Sequence, residues 1–143
     1  MTTFFDAEDE IFDLVVTGTT NADSILGDTP EFLWPGDNFS DSLNANDYYI
    51  KVFKSIATSD QYSFKDINRK YRTNGTVTIE FFAPRSVGDG LRKIKTLALE
   101  LQHVMRAHRG SVYLREITTR EGAASETHNR QIVICNFEYS EIV

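Results

Sequence analysis

Apolar residues recur along the chain with two different periods, and the switches between them outline an α-β-β-α-β-β order. Phe4, Phe5, Ile11, Phe12, Leu14, Val15 and Val16 form a broad apolar face that predicts a helix over about residues 3–17. Thr2 or Thr3 can cap its start, and Asp6, Glu8, Asp9 and Glu10 lie early in it, where acids interact favourably with the helix dipole. Gly18 and the polar residues after it end the element. Residues 18–46, rich in Gly, Asn, Asp, Ser and Thr, read as a long irregular connection. Within it, Phe32, Leu33 and Trp34 precede Pro35 and Gly36. This apolar patch is expected to pin the connection to the core, because so long a loop is seldom left free in a compact domain.

The period then changes to two. Asp47 to Ala57 reads as a strand with Tyr48, Ile50 and Val52 on one face and Tyr49, Lys51 and Phe53 on the other. A polar segment from Thr58 to Lys70 leads to a second strand, Tyr71 to Ala83, in which Tyr71, Thr73, Val77, Ile79 and Phe81 share parity. Asn74-Gly75 reads as a bend or bulge within it, and Pro84 stops the ladder. The clearest element is a helix over about residues 87–108, with Leu91, Ile94, Leu97, Ala98, Leu101, Val104, Met105 and His108 on one face. Its other face carries Arg92, Lys93, Lys95, Glu100, Gln102 and Arg106; Ser86 or Asp89 can cap its start, and Arg109-Gly110 marks its end. Two strands follow, Ser111–Thr119 and Asn129–Tyr139, joined by a polar link read as an exposed hairpin tip. The expected fold is a single α+β domain: a four-stranded antiparallel or mixed sheet with an N-terminal helix and one long amphipathic helix packed on it.

At 143 residues the chain suits one domain, and 41% hydrophobic with 25% charged residues is an ordinary globular balance. No segment approaches the ~20 consecutive apolar residues of a membrane helix. The N-terminus has no basic region followed by an apolar stretch, so no secretory signal is expected. A lone cysteine, Cys135, fits a reducing compartment. The charges change the picture most. Residues 1–50 hold eleven acids and no Lys or Arg, a formal −11; residues 51–143 hold all 15 basic residues and ten acids, a formal +5. The net −6 argues against a nucleic-acid binder that uses its whole surface.

Candidate chemistry is sparse. His103 and His108 are five apart on a helix and do not stack as a metal pair, and Glu100 with His103 lacks a partner motif. Cys135 lies inside an apolar strand and reads as a buried, inert thiol. Gly88-Asp89-Gly90 is only a fragment of a phosphate loop and reads as a turn into the helix. No catalytic residue, metal or cofactor is expected. The basic run Lys65, Arg69, Lys70 and Arg72, interleaved with Tyr62, Phe64 and Tyr71, suits either a nucleic-acid stripe or a loop that meets an acidic protein surface.

The stretch from Arg72 to Pro84, with Val77, Ile79, Phe81 and Phe82, followed by Gly88-Asp89-Gly90 opening the long helix, resembles the strand-to-helix passage of tailed-phage tail terminator (tail completion or neck) proteins; Tyr49-Ile50-Lys51-Val52 resembles the strand that precedes it there. The sequence-level match covers about residues 48–105. The resemblance implies a non-enzymatic virion protein that forms a homo-hexameric ring, caps the tail tube and joins it to the head connector. Its partners would be its own copies, the tail tube protein and the head–tail connector, with DNA only as cargo in the channel and no membrane. It would assemble in the host cytoplasm. A small adaptor module and an adjacent head-closure or connector protein remain as alternatives.

The uneven charge gives a second reason to consider a ring, because a subunit with one acidic and one basic surface can pair head to tail with its own copies. On this reading Lys65, Arg69, Lys70 and Arg72 meet the acidic surface of Glu8, Asp9, Glu10 and Asp13 on a neighbour. Glu8, Asp9 and Asp37 are expected to face the lumen, where acids would keep passing DNA from sticking.

Overall fold

The computed structural model describes residues 3–36, 44–61 and 70–142. The first helix, α1, spans Phe4–Gly18 and begins as expected at Thr3, whose hydroxyl accepts from the Asp6 N–H while the Asp6 carboxylate accepts from the Thr3 N–H. This reciprocal capping box satisfies two orphan donors at once and holds the Asp6 carboxyl below the usual carboxylate range, chiefly through its bond to the Thr3 backbone. The apolar residues Ala7, Ile11 and Val15 recur every fourth position and are buried. At Gly18 the helix touches Leu101, and a Cβ there would collide with that side chain, so the glycine permits the close approach.

A short helix, α2 (Ala22–Leu26), follows and is closed by Gly27 in the left-handed region at φ +71°. The connection then forms a strand, β1 (Glu31–Leu33), parallel to β2 (Tyr49–Gln61) with Glu31 opposite Tyr49. Among the described residues the sheet therefore has five strands rather than the four expected. The added strand is the very Phe32-Leu33-Trp34 patch expected to pin the loop: Leu33 is buried, Phe32 stacks on Trp34, and Trp34 meets Phe12 of α1.

β2 pairs antiparallel with β3 (Lys70–Pro84). The register shifts between Ile56 and Thr58, opposite Gly75 and Asn74, so the irregularity sits on β2 facing the expected Asn74-Gly75 bend. A Cβ on Gly75 would run into the Ser55 carbonyl and the Phe137 ring. The long helix α3 (Gly90–Ala107) buries Ile94, Leu97, Ala98, Leu101 and Met105. Then β4 (Tyr113–Glu121) and β5 (His128–Ile142) close the chain, with an exposed tip between them as expected.

The strand order is β1-β2-β3-β5-β4, all antiparallel except the β1–β2 pair. Helices cover one face. Val52 of β2, Val77, Ile79 and Phe81 of β3, and Val133, Cys135 and Phe137 of β5 point to them and are fully buried. Burial of each such side chain stabilises the fold by about 1.5–3 kcal/mol. The opposite parity, including Phe53, Thr78 and Ile134, forms a face that is only partly shielded. His128, wholly buried at the start of β5, fastens the sheet's end: its Nε2 lies 2.9 Å from the Asp47 carbonyl and its Nδ1 2.8 Å from the Thr127 hydroxyl.

Candidate functional site

Strand order turns the uneven charge of the sequence into an uneven charge in space. Residues 3–36, which form α1, α2 and β1, carry eight acids and no Lys or Arg. Residues 85–121, which form α3 and β4, carry eight basic residues and four acids. Among the described residues β1 and β4 are the two edges of the sheet, and half of these basic residues, Arg92, Lys93, Lys95 and Arg106, lie on α3 between them.

α3 stands between α1 and β4 and is contacted differently on each side. Toward α1 and α2, Lys93 Nζ donates to the Leu26 carbonyl at 3.4 Å and Asn21 donates to Glu100 at 3.5 Å. Toward β4, Lys95 Nζ donates to Glu121 at 2.8 Å, and both Gln102 and Arg106 donate to the Ile117 carbonyl. Those two bonds hold a bulge in β4, where the register shifts between Arg115 and Thr118 and Glu116 has φ +54°. A bulge flanked by Arg115 and Arg120 discourages indiscriminate pairing at an edge strand.

The acidic segment presents the outer line of α1: Phe5, Asp9, Asp13 and Thr17, every fourth residue, all exposed. Phe5 is 72% exposed and Val16, beside this line, 50%, so apolar groups are interspersed with the acids. On the other side of α3 a cleft of about 310 Å³ lies between α3 and β4, lined by Lys95, Leu99, Gln102, Arg120, Glu121 and Gln131, with Lys95 paired to Glu121. Leu99 is 46% exposed on its wall. Gln131 is 2% exposed, and its Oε1 has no hydrogen-bond partner among the described residues.

The expected interface residues fall into different settings. Asp9 and Asp13 are exposed on α1. Glu8 is half-buried and pairs with Lys54 at 3.7 Å. Burial lowers the Lys54 pKa, the Glu8 charge offsets part of that, and its ammonium lies 4.2 Å from the Phe4 ring centroid. Glu10 turns inward: its carboxylate accepts from the Ser111 and Val112 N–H groups and lies 3.1 Å from His108 Nε2. Lys70 and Arg72 share the parity that faces away from the helices, and Arg72 lies 3.4 Å from Glu138. Lys65, Arg69 and Asp37 lie outside the described residues.

The structure thus brings together a cleft between α3 and β4 that sequence reasoning did not single out. Its signal was present in the line Arg92, Lys95, Leu99, Gln102 and Arg106, spaced three and four apart, but only the fold shows that this half of the polar face meets β4. Elsewhere the chemistry is quiet. Cys135 is buried, and burial pushes its thiol up to about 11. Among the described residues no group of three His, Cys, Asp or Glu side chains is placed to hold a metal ion, and no helix is long and apolar enough to cross a membrane.

The class these features define is a small α+β domain: a mixed sheet with an N-terminal helix and one long helix packed on it. No family model matches the chain, and no curated protein matches it in sequence. A solved structure that carries no family description is similar in fold at 16% identity, with a TM-score of 0.50 over 90% of this chain and 94% of that one.

Proposed function

We propose that the chain is a structural ring protein of a phage neck, a tail terminator that caps the tail tube and offers a surface to the head connector. The observation that supports this reading is the uneven charge of the elements: residues 3–36 of α1, α2 and β1 carry eight acids without a Lys or Arg, whereas residues 85–121 carry eight basic residues and four acids. A subunit built this way is self-complementary head to tail, and a heterologous contact closes into a ring when its rotation fits. The resemblance of residues 72–90 to the terminator passage supplies the rest of the reading, including sixfold closure, the tube and connector as partners, and assembly in the host cytoplasm before incorporation in the virion. The reading assigns no reaction and no cofactor to the chain. Negatively stained particles of the purified protein should appear as sixfold rings with an open channel. Featureless particles of single-chain size at all concentrations would contradict the proposal and favour the adaptor alternative.

A further inference from the structure

We infer that the ring contact lays the outer face of α1 of one copy on the sheet face that the helices leave open on the next. This inference rests on the ring reading and names its surfaces. On that sheet face Phe53, Thr78, Ile134 and Thr118 stand opposite one another from β2 to β4 and form a row without charge. Phe53 is 37% exposed in it. Lys51 and Arg120 stand at the two ends of the next row on one side, and Arg115 ends the next row on the other. Among the described residues this face carries six basic positions: Lys51, Lys70, Arg72, Arg115, Arg120 and Arg130. Its acids are fewer: Glu80, Glu116, Glu138 and, at the register position opposite Arg72, Asp60. Glu80 is matched to Arg130 at 3.7 Å. Glu138 is shared between Arg72 at 3.4 Å and Arg115 at 3.9 Å. Arg120 is exposed and forms no ion pair among the described residues. The face is thus short of acids, and an acidic partner fits it.

The outer face of α1 matches that row in chemistry and in length. Phe5, Asp9, Asp13 and Val16 lie opposite the buried stripe of Ala7, Ile11 and Val15, and all four are exposed. From Phe5 to Val16 the helix rises about 16 Å at 1.5 Å per residue. The row from Phe53 to Thr118 crosses four adjacent strands, about 14 Å. Phe5 and Val16, 72% and 50% exposed, offer apolar area to Phe53 and Ile134, and burial of such area is the main source of affinity. Asp9 and Asp13 then meet the cations beside the row, which fix partner and register. α1 lies on one side of its own sheet and the row on the other, so one copy cannot join its own two surfaces. Each copy keeps one surface of each kind free, which is the geometry of a head-to-tail chain of subunits. The assignment keeps Lys70 and Arg72 on the contact face. It leaves out Glu8 and Glu10, which are engaged with Lys54 and with the Ser111 and Val112 N–H groups of their own chain. It also gives Asp9 to the contact between copies and not to the lumen.

A charge-swap mixing experiment tests this. One variant carries Asp9→Lys and Asp13→Lys; a second carries Arg115→Glu and Arg120→Glu; a third, Phe5→Ser, changes no charge. All five side chains are exposed, and circular dichroism checks that each variant keeps the wild-type fold. Each variant alone should need about tenfold or more higher concentration than wild type to assemble, the first two because like charges then meet at every contact. The two charge variants mixed in equal amounts should assemble again, since the reversed α1 of one fits the reversed sheet face of the other and six positions alternate without a mismatch. If wild type assembles and the variants assemble as readily, the ring reading stands and these surfaces are wrong. Charge variants that keep the fold, fail alone and stay apart when mixed would also overturn the assignment. Should a charge variant lose the fold, Phe5→Ser decides alone: weakened assembly supports the contact and unchanged assembly overturns it. If wild type itself remains a single chain at every concentration, the ring reading falls and this inference falls with it.

Discussion

Glu10 Oε2 accepts a 2.7 Å hydrogen bond from the Val112 backbone N–H, which ties α1 to the residues leading into β4. The other carboxylate oxygen takes the Ser111 N–H at 3.1 Å. An acid that reads as part of a charged surface is therefore a structural clasp. Replacing Glu10 with Ala would leave both donors without this acceptor and should cost about 1–3 kcal/mol. Urea unfolding would measure it. Asp9→Ala and Asp13→Ala, on the exposed line of the same helix, should stay within about 0.5 kcal/mol of wild type, as surface changes usually do. Equal effects at all three positions would contradict the distinction.

Gly75 has room for no side chain. An alanine there would press on the Ser55 carbonyl and the Phe137 ring, and the backbone carbonyl cannot swing aside as a flexible chain would. Gly75→Ala should destabilise the fold by about 1–3 kcal/mol through overpacking, read as a lower denaturation midpoint. An unchanged midpoint would show that the β2 bulge absorbs the extra carbon.

Cys135 gives a prediction about alkali. In the folded chain burial holds the thiol proton to about pH 11, whereas the unfolded chain releases it near the ordinary value of 9.0. The unfolded state then binds fewer protons between those values, so stability is fully present below pH 9 and falls as the pH rises toward 11. Cys135→Ser or Cys135→Ala should remove this part of the alkaline slope in thermal melts. For the same reason a thiol reagent at pH 8 should label the native protein only as fast as it opens, and at full rate in denaturant.

Much of the fold is legible in the sequence because single elements carry their own period. The shared parity of Val77, Ile79 and Phe81, and the Ile94–Leu97–Leu101–Met105 line, fix which faces are buried before any tertiary contact is known. β1 is not legible, since Glu31 to Leu33 are too few to show a period and become a strand only by pairing with Tyr49 to Lys51. The apolar patch there signals burial but not its form. The candidate site is less legible still. Glu10 meets donors far along the chain, and the cleft joins residues of α3, β4 and β5 that no local spacing connects. The charge imbalance itself is visible in the first 50 residues, but that the basic line of α3 packs beside the acidic helices is visible only in the fold.

The central claim is that copies of the chain bind one another head to tail in a ring. Light scattering coupled to size exclusion, run across a range of protein and salt concentrations, tests it most directly. The account predicts a single species of six times the 16.3 kDa chain at low salt, giving way to smaller species as salt screens the contact. A constant mass of one chain under every condition would contradict it.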